Sequence, residues 1–342
     1  MSRITLLSIV LVGSLCSVAY AQKTNFLVGL DPYSPQQTVE GVIRIQGNNY
    51  AAGLMQLWQD AFRKHHPGIQ FNTSLKGTET AMAAVYSGMA DLGILGRESY
   101  SIEESAFEEW LGYKPLGIEI TTGSVDKPHK TFAVMFFVHR SNPIQQLSKS
   151  QVTRILGCSG THEDSIRTWG QLGLTGEWEN RPVHVYGYGS DSGFGRFLQS
   201  LFLQGKPTWN SEIKTFYNAK MADGSEIDSG KLILDALAVD PYGLAYSNVA
   251  YSNAGVKILA VAPNESGPFF KPTLENVWKR SYPITRFTTL FVNRVPGKPV
   301  DPVVKEFLRY ILSRDGQEMV LREGSYLPLT SEMARIQLRK LE

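Results

Sequence analysis

Along most of the chain, short segments with a strand-like pattern are followed by longer amphipathic segments typical of helices. The strand-like segments either alternate apolar and polar residues or are apolar. Residues 42–46 alternate apolar and polar side chains and predict a strand, and residues 69–74 predict the next one. Between them lies a segment with apolar residues at helical spacing, and one face of this predicted helix carries Leu54, Leu57, Trp58, Ala61 and Phe62. Residues 81–87 predict a second helix. This order indicates an α/β fold with largely parallel sheets.

The same alternation continues in the second half of the chain. Residues 131–138 predict a fully apolar strand, which is typical of strands buried on both faces of a sheet, and residues 284–292 predict another apolar strand. A third strand is predicted at 242–246. The remaining helical patterns cover residues 232–239, 303–313 and 316–323.

A glycine- and serine-rich loop joins the strand predicted at 183–186 to a following helix. It contains Ser190, Ser192 and Gly193. The first N–H groups of a helix lack intrahelical partners and carry partial positive charge, so a loop of this kind can bind an anion. The alternative is an ordinary N-cap, because Ser and Asp are common before helices.

Two earlier loops have the same order of strand, polar turn and helix. Asn49 and Tyr50 follow the first predicted strand, and Lys76, Gly77 and Thr78 follow the second. Open α/β sheets bind ligands at the carboxyl ends of their strands. The three loops together therefore predict a site for one small anion, with Lys76 either facing it or remaining in solvent.

Composition excludes several other classes of protein. The chain has 342 residues, of which 42% are hydrophobic and 19% charged, and its net charge of +2 gives no reason to expect nucleic acid or an anionic membrane as a partner. The histidines show no metal-ligand spacing, so we expect neither a metal nor a cofactor. Of the two cysteines, Cys16 lies in the N-terminal segment and leaves Cys158 without a disulfide partner.

The N-terminus resembles a secretory signal peptide. Arg3 precedes an apolar run at residues 4–12, and Ala19-Tyr20-Ala21 has the small-x-small pattern of a cleavage site. The run is too short for a membrane anchor. We therefore expect residues 1–21 to be removed near Ala21 and the mature protein to be periplasmic.

Six segments, in order along the chain, resemble those of a known family. They are residues 87–93, residues 155–157 with 169–173, residues 191–193, residues 243–246, residues 282–286, and residues 312–317 with 324–329. In these segments the chain is similar to the phosphate-binding solute-binding proteins of bacterial phosphate ABC transporters, which are type II periplasmic binding proteins.

The resemblance implies a two-lobed α/β fold with the ligand in a cleft between the lobes. Lobe 1 would comprise residues 22–135 and 281–342, and lobe 2 residues 136–280. The implied function is capture of a small oxyanion, phosphate by preference, by a monomer that delivers it to an ABC transporter permease. An anion sensor, or a protein that binds a sulfate-like oxyanion without transport, is the alternative.

The resemblance also implies ligand-binding positions. Asn49 and Tyr50 occupy the first loop, where the family typically has Thr-Phe, Thr78 stands where the family has a serine, and Ser192 and Gly193 match the family loop.

Three further positions depart from the family pattern. Phe194 replaces a threonine, Tyr188 an arginine, and Gly96 an aspartate that accepts a proton from the anion. Arg97 is then expected to supply the positive charge, unless it pairs with Glu98 or Glu103. Such an acceptor-poor site is expected to discriminate weakly against sulfate, unless Glu98 or Glu79 reaches inward and supplies the acceptor.

Catalysis is the competing class of function. Ser192, His184 and Asp191 could be combined into a triad on paper, but the sequence has no nucleophile-elbow pattern. We therefore expect no catalytic residues.

Overall fold

The computed structural model describes residues 26–158, 165–206 and 208–342. These residues form two compact units. Unit 1 comprises the chain up to Thr122 together with Phe287–Glu342, and unit 2 comprises Gly123–Arg286. The expected signal peptide, its cleavage site and Cys16 lie outside the described residues. None of the described helices is long and apolar enough to cross a membrane.

Unit 1 contains a five-stranded sheet in the order β2-β1-β3-β14-β4. Its strands are β1 (Gly41–Gly47), β2 (Ile69–Ser74), β3 (Leu92–Leu95), β4 (Leu116–Thr122) and β14 (Phe287–Val292). Its helices are α1 (Ala52–His65), α2 (Glu79–Tyr86), α3 (Ser101–Leu111), α8 (Pro302–Leu312), α9 (Arg314–Glu323) and α10 (Ser331–Arg339). β1 pairs in parallel with β2 and β3, whereas β14 is antiparallel to β3 and β4.

The apolar face of α1 packs in the core of unit 1, and this packing explains why the helix forms where the sequence predicts it. Trp58 and Phe62 are fully buried, and the ring centres of Phe62 and Phe307 are 5.1 Å apart. Trp58 Nε1–H donates to the carbonyl of Gly316 (2.7 Å), so its one polar atom is satisfied in the core. Burying side chains of this size stabilises the fold by roughly 1.5–3 kcal/mol each.

Unit 2 contains a second five-stranded sheet, in the order β12-β5-β11-β7-β8, and two short pairs, β13-β6 and β10-β9. The strands are β5 (Met135–His139), β6 (Gln146–Ser148), β7 (His184–Tyr188), β8 (Lys214–Phe216), β9 (Ala219–Lys220), β10 (Glu226–Ile227), β11 (Gly243–Ser247), β12 (Val256–Ile258) and β13 (Ala260–Ala262). The helices are α4 (Lys149–Leu156), α5 (Gly193–Phe202), α6 (Ser229–Leu237) and α7 (Leu274–Trp278). β7 is parallel to β8 and β11, and β5 is antiparallel to β11 and β12.

In each five-stranded sheet four strands run in the same direction and one runs opposite to them, β14 in unit 1 and β5 in unit 2, so the expectation of largely parallel sheets holds with one exception in each unit. In each one, parallel strands adjoin antiparallel ones, because the chain places β14 against β3 and β5 against β11. An apolar segment fits a buried strand running in either direction, so its pattern carries no information about orientation.

Two predicted apolar strands are shorter than expected. The segment 131–138 becomes a strand only from Met135, although all the residues of Thr131–Val134 are buried. The segment 284–292 becomes a strand only from Phe287. Most of the residues just before the two strands are buried although they lie outside the strands, and an apolar pattern cannot show where a strand begins.

Candidate functional site

In unit 1 the loops after β1, β2 and β3 are joined by hydrogen bonds. The N–H of Asn48 donates to the carbonyl of Ile94 (2.9 Å), and the N–H of Gly77 donates to the carbonyl of Gly47 (2.9 Å). The N–H of Gly96 donates to Thr78 Oγ1 (3.3 Å). The predicted loop residues therefore lie at one edge of the sheet, as the order of strand, turn and helix predicts.

The side chains of these loops differ in what they can offer to an anion. Asn49 and Tyr50 are exposed at the start of α1, and Lys76 is exposed after β2. Because the N–H of Gly77 is already bonded to Gly47, it is not available to a ligand. The hydroxyl of Thr78 accepts from Gly96, which leaves its own hydrogen to donate.

Arg97 is 8% exposed and forms a two-pronged ion pair with Glu103. The distances are 2.8 Å from Nη1 to Oε2 and 2.7 Å from Nη2 to Oε1. Its guanidinium carbon also lies 3.6 Å from the ring centre of Tyr100. Burial opposes the charge, but the hydrogen bonds and negative charge of Glu103 outweigh it, so the pKa of Arg97 is raised above its ordinary value. Much of the expected positive charge is thus compensated within unit 1.

In unit 2 the loop after β7 ends in a tight N-cap. Ser192 Oγ accepts from the N–H of Gly195 (3.0 Å) and donates to the carbonyl of Gly189 (2.6 Å). The hydroxyl hydrogen expected for the ligand is therefore directed to the loop itself. The groups of this loop best suited to an anion are the N–H groups of Gly193 and Phe194 in the first turn of α5, where an α-helix provides no partner. Ser190 is exposed beside them.

Tyr188 and Phe194 belong to an aromatic stack. The ring centre of Phe194 lies 4.5 Å from that of Tyr188 and 4.6 Å from that of Phe132. Tyr188 is 2% exposed, its hydroxyl lies 3.3 Å from Ser247 Oγ, and burial raises its pKa, so the side chain is a neutral phenol. The side chain at position 188 therefore packs inside unit 2, and the structure gives it no charge to offer a ligand.

Comparisons with known proteins identify the family. A model of the PBP superfamily domain matches residues 33–315. The chain is 32% identical over 316 residues to the phosphate-binding protein PstS of Pseudomonas aeruginosa, covering 91% of this chain and 90% of the relative. The chain belongs to the PstS family of the PBP superfamily.

Two solved structures share the fold of this PstS-family chain. PstS from Borrelia burgdorferi is 16% identical, with a TM-score of 0.57, and the match covers 85% of this chain and 100% of that one. An ABC-type phosphate transport receptor from Vibrio cholerae is 16% identical, with a TM-score of 0.52, covering 83% and 99%. The predicted α/β class and type II periplasmic-binding-protein fold are thereby confirmed.

Two residues near the loops were not among the predicted ligands of this PstS-family chain. Arg286 is 3% exposed, and its guanidinium carbon lies 4.8 Å from the ring centre of Phe197 and 5.0 Å from that of Phe194. Arg286 is the last residue of the 282–286 segment, one of the six that carry the family resemblance. Its place in that segment was the sequence signal that could have identified it. Asn48, 3% exposed, precedes the predicted Asn49 and had no distinguishing signal beyond its place as a helix N-cap.

The three side chains of the hypothetical triad have separate partners. His184 Nδ1 lies 2.7 Å from Asp240 Oδ2, and Asp191 Oδ1 accepts from the hydroxyl of Tyr217 (3.0 Å). Ser192 is the N-cap of α5. Within the described residues, no group of three or more His, Cys, Asp or Glu side chains could hold a metal ion.

Proposed function

We propose that the mature protein captures phosphate outside the cytoplasm and delivers it to the permease of an ABC importer. The observation that carries this proposal is the 32% identity to a phosphate-binding protein over 91% of the chain. The loops before the helices support the proposal, because the N-terminus of a helix presents backbone N–H groups that can bind a small oxyanion.

The proposed ligands in unit 1 lie in the loops after β1 and β2. They are the exposed Asn49 and Tyr50, the hydroxyl of Thr78, and Lys76 as a mobile cation. Arg97 would act mainly through its pairing with Glu103, which fixes the loop after β3.

The proposed ligands in unit 2 are the N–H groups of Gly193 and Phe194 and the hydroxyl of Ser190. Ser192 positions these groups as the N-cap of α5. We assign to Arg286 the positive charge that position 188 does not supply, because its guanidinium lies beside two phenylalanines of α5.

The other parts of the proposal concern location and partners. Export with cleavage near Ala21, a monomeric mature form, and the absence of a catalytic step and of a nucleic-acid partner follow the resemblance and the composition. The relatives named above are a phosphate-binding protein and a transport receptor, which supports a binding role.

Isothermal titration of the mature chain, residues 22–342, with phosphate, sulfate, molybdate and nitrate tests the binding proposal. Phosphate is expected to bind with a dissociation constant in the micromolar range or below, a binding free energy of at least about 8 kcal/mol. An absence of heat and of thermal stabilisation with all four anions at millimolar concentration would overturn the proposal.

Deletion of the gene in its own host tests the transport role separately. High-affinity phosphate uptake is expected to fall when the binding protein is missing. Unchanged uptake together with measured phosphate binding would favour the sensor alternative. A preference for sulfate over phosphate in the titration would instead favour a sulfate-like ligand, which the uncharged Tyr188 and Gly96 positions permit.

A further inference from the structure

The carboxamide of Asn48 occupies the space that a side chain at position 96 would need. A Cβ added to Gly96 would lie 2.3 Å from Asn48 Nδ2, 2.7 Å from Cγ and 3.1 Å from Oδ1. Asn48 is 3% exposed, so it has little room to move aside. The residue at 96 must therefore stay glycine as long as Asn48 keeps this position.

The orientation of the Asn48 amide follows from its hydrogen bonds. Oδ1 accepts from the N–H of Tyr50 (3.1 Å), which is the N-cap contact of the 3-10 turn Asn49–Ala51 that precedes α1. Nδ2 is consequently the amide atom nearest to Gly96. An amide nitrogen carries two hydrogens and cannot accept a hydrogen bond.

Two carboxylates of unit 1, those of Glu79 and Glu103, face Arg97. Glu103 pairs with Arg97 at 2.7 Å, and Glu79 Oε1 lies 3.8 Å from Arg97 Nη2. Thr78, on the other side of Gly96, accepts from the Gly96 N–H and retains a hydrogen to donate. The side chains of Asn48 and Thr78, on either side of Gly96, can therefore both donate.

We propose that Asn48 is a specificity-determining residue, whose side-chain NH2 makes this part of the site a donor to a fully deprotonated oxygen of the anion. This inference rests on the proposed binding of an oxyanion. Without an acceptor here, the site does not require a proton on the ligand. The dissociation constants of sulfate and phosphate therefore differ by less than about 100-fold.

The test compares phosphate and sulfate affinities of the wild type and Asn48→Asp by isothermal titration at neutral pH. In the wild type, the sulfate and phosphate dissociation constants are expected to differ by less than about 100-fold. Asn48→Asp replaces the donor with a carboxylate of the same shape, which can accept from hydrogen phosphate but repels sulfate. The sulfate-to-phosphate ratio of dissociation constants is expected to rise at least about tenfold.

Asn72→Asp is the matched control, because it makes the same chemical change at an exposed position of β2. It is expected to leave the ratio unchanged. Thermal unfolding of each variant checks that the fold is retained.

Asn48→Ser provides a second route if Asn48→Asp does not fold. Serine can cap the 3-10 turn Asn49–Ala51 but does not reach Gly96, so both anions should bind at least about tenfold more weakly at an unchanged ratio.

A folded Asn48→Asp with a ratio changed by less than tenfold, or a folded Asn48→Ser with unchanged affinities, would overturn the inference. So would a wild type that binds phosphate and rejects sulfate by more than 100-fold, although the proposed function would then stand. A wild type that binds no oxyanion overturns both.

Discussion

At the residue scale, Gly195 shows how closely the loop of unit 2 is packed. A Cβ at this position would lie 2.2 Å from the carbonyl oxygen of Gly189 and 2.8 Å from the Cα of Ser190. Both contacts are to backbone, which cannot rotate away as a side chain could. The conformation that directs the first N–H groups of α5 outward therefore depends on the absence of one methyl group.

Gly195→Ala is expected to displace this loop and to weaken phosphate binding at least about tenfold. Relief of the overlap should also cost about 1–3 kcal/mol of the free energy of unfolding. Gly53→Ala is the control, because a Cβ at that helical position meets nothing within 4 Å and should be neutral or stabilise by up to about 1 kcal/mol. Titration calorimetry and urea unfolding measure the two effects, and wild-type affinity in Gly195→Ala would place the ligand elsewhere.

Arg286→Met removes a buried charge from the neighbourhood of α5 while keeping much of the side-chain volume. If the guanidinium favours the anion, phosphate affinity should fall at least tenfold, about 1.4 kcal/mol, and Arg286→Lys should retain more of it. The exposed Lys206→Met of the same unit controls for net charge and should have little effect. A folded Arg286→Met with unchanged affinity would limit Arg286 to packing against Phe194 and Phe197.

At the scale of elements, a polar network holds the segment before β1 against α1 and α8. The hydroxyl of Tyr33 donates its hydrogen to Glu306 Oε1 (2.8 Å), and the hydroxyl oxygen of Tyr33 lies 2.7 Å from Nε2 of the fully buried His66. The N–H of Val39 donates to His66 Nδ1 (3.3 Å). Arg309 pairs with the Glu306 carboxylate at 2.8 Å. With Nδ1 accepting, His66 fits this network as a neutral ring.

Acidification is expected to weaken this network. Burial lowers the pKa of His66 below its ordinary value of 6.5, although Glu306 opposes the shift. The folded state therefore binds fewer protons than the unfolded one. The free energy of unfolding should keep its highest value above pH 6.5 and fall as the pH drops below it. A proton on Nδ1 would also remove the acceptor of Val39.

Urea unfolding between pH 8 and 5 measures the effect. His66→Gln should lower stability at pH 8 but reduce its dependence on pH, whereas the exposed His65→Gln should keep most of the slope. An equal slope in wild type and His66→Gln would show that other groups control the acid sensitivity.

At the scale of the whole molecule, phosphate is expected to stabilise the folded chain by mass action. At a free concentration 100 times the dissociation constant, the free energy of unfolding should rise by about 2.7 kcal/mol. Calorimetric melting with and without phosphate, at ionic strength matched with chloride, measures the shift. An equal melting temperature in both buffers would contradict specific binding.

The sequence predicted much of this architecture because its signals are local. Residues 69–74 form β2 as expected, and the apolar face around Trp58 marks α1. The loops after these elements were also found, since strand, polar turn and helix N-terminus lie close together in the chain. The predicted lobe limits at residues 135 and 281 stay a prediction, whereas the division between the units falls at Thr122 and Phe287.

The remaining features depend on residues that are distant in sequence. Asn48 fills the space beside Gly96, and Phe132 stacks on Phe194; neither contact has a local signature. The pairing of Arg97 with Glu103, only six residues further along the chain, is the exception, because the sequence already offered it as an alternative. Tertiary contacts of this kind decide which candidate side chains still have a free donor.

The place of β14 in the sheet has a consequence for the order in which the chain can fold. β14 lies between β3 and β4, although it is separated from both in sequence by all of Gly123–Arg286. During synthesis the first unit must wait for this late strand, and its earlier strands meanwhile expose unpaired edges. The second unit is one continuous segment of the chain, so all of it has been synthesised before Phe287 is added. We therefore expect the second unit to fold first. In a nascent chain that stops before Phe287, we expect the first unit to remain incompletely folded.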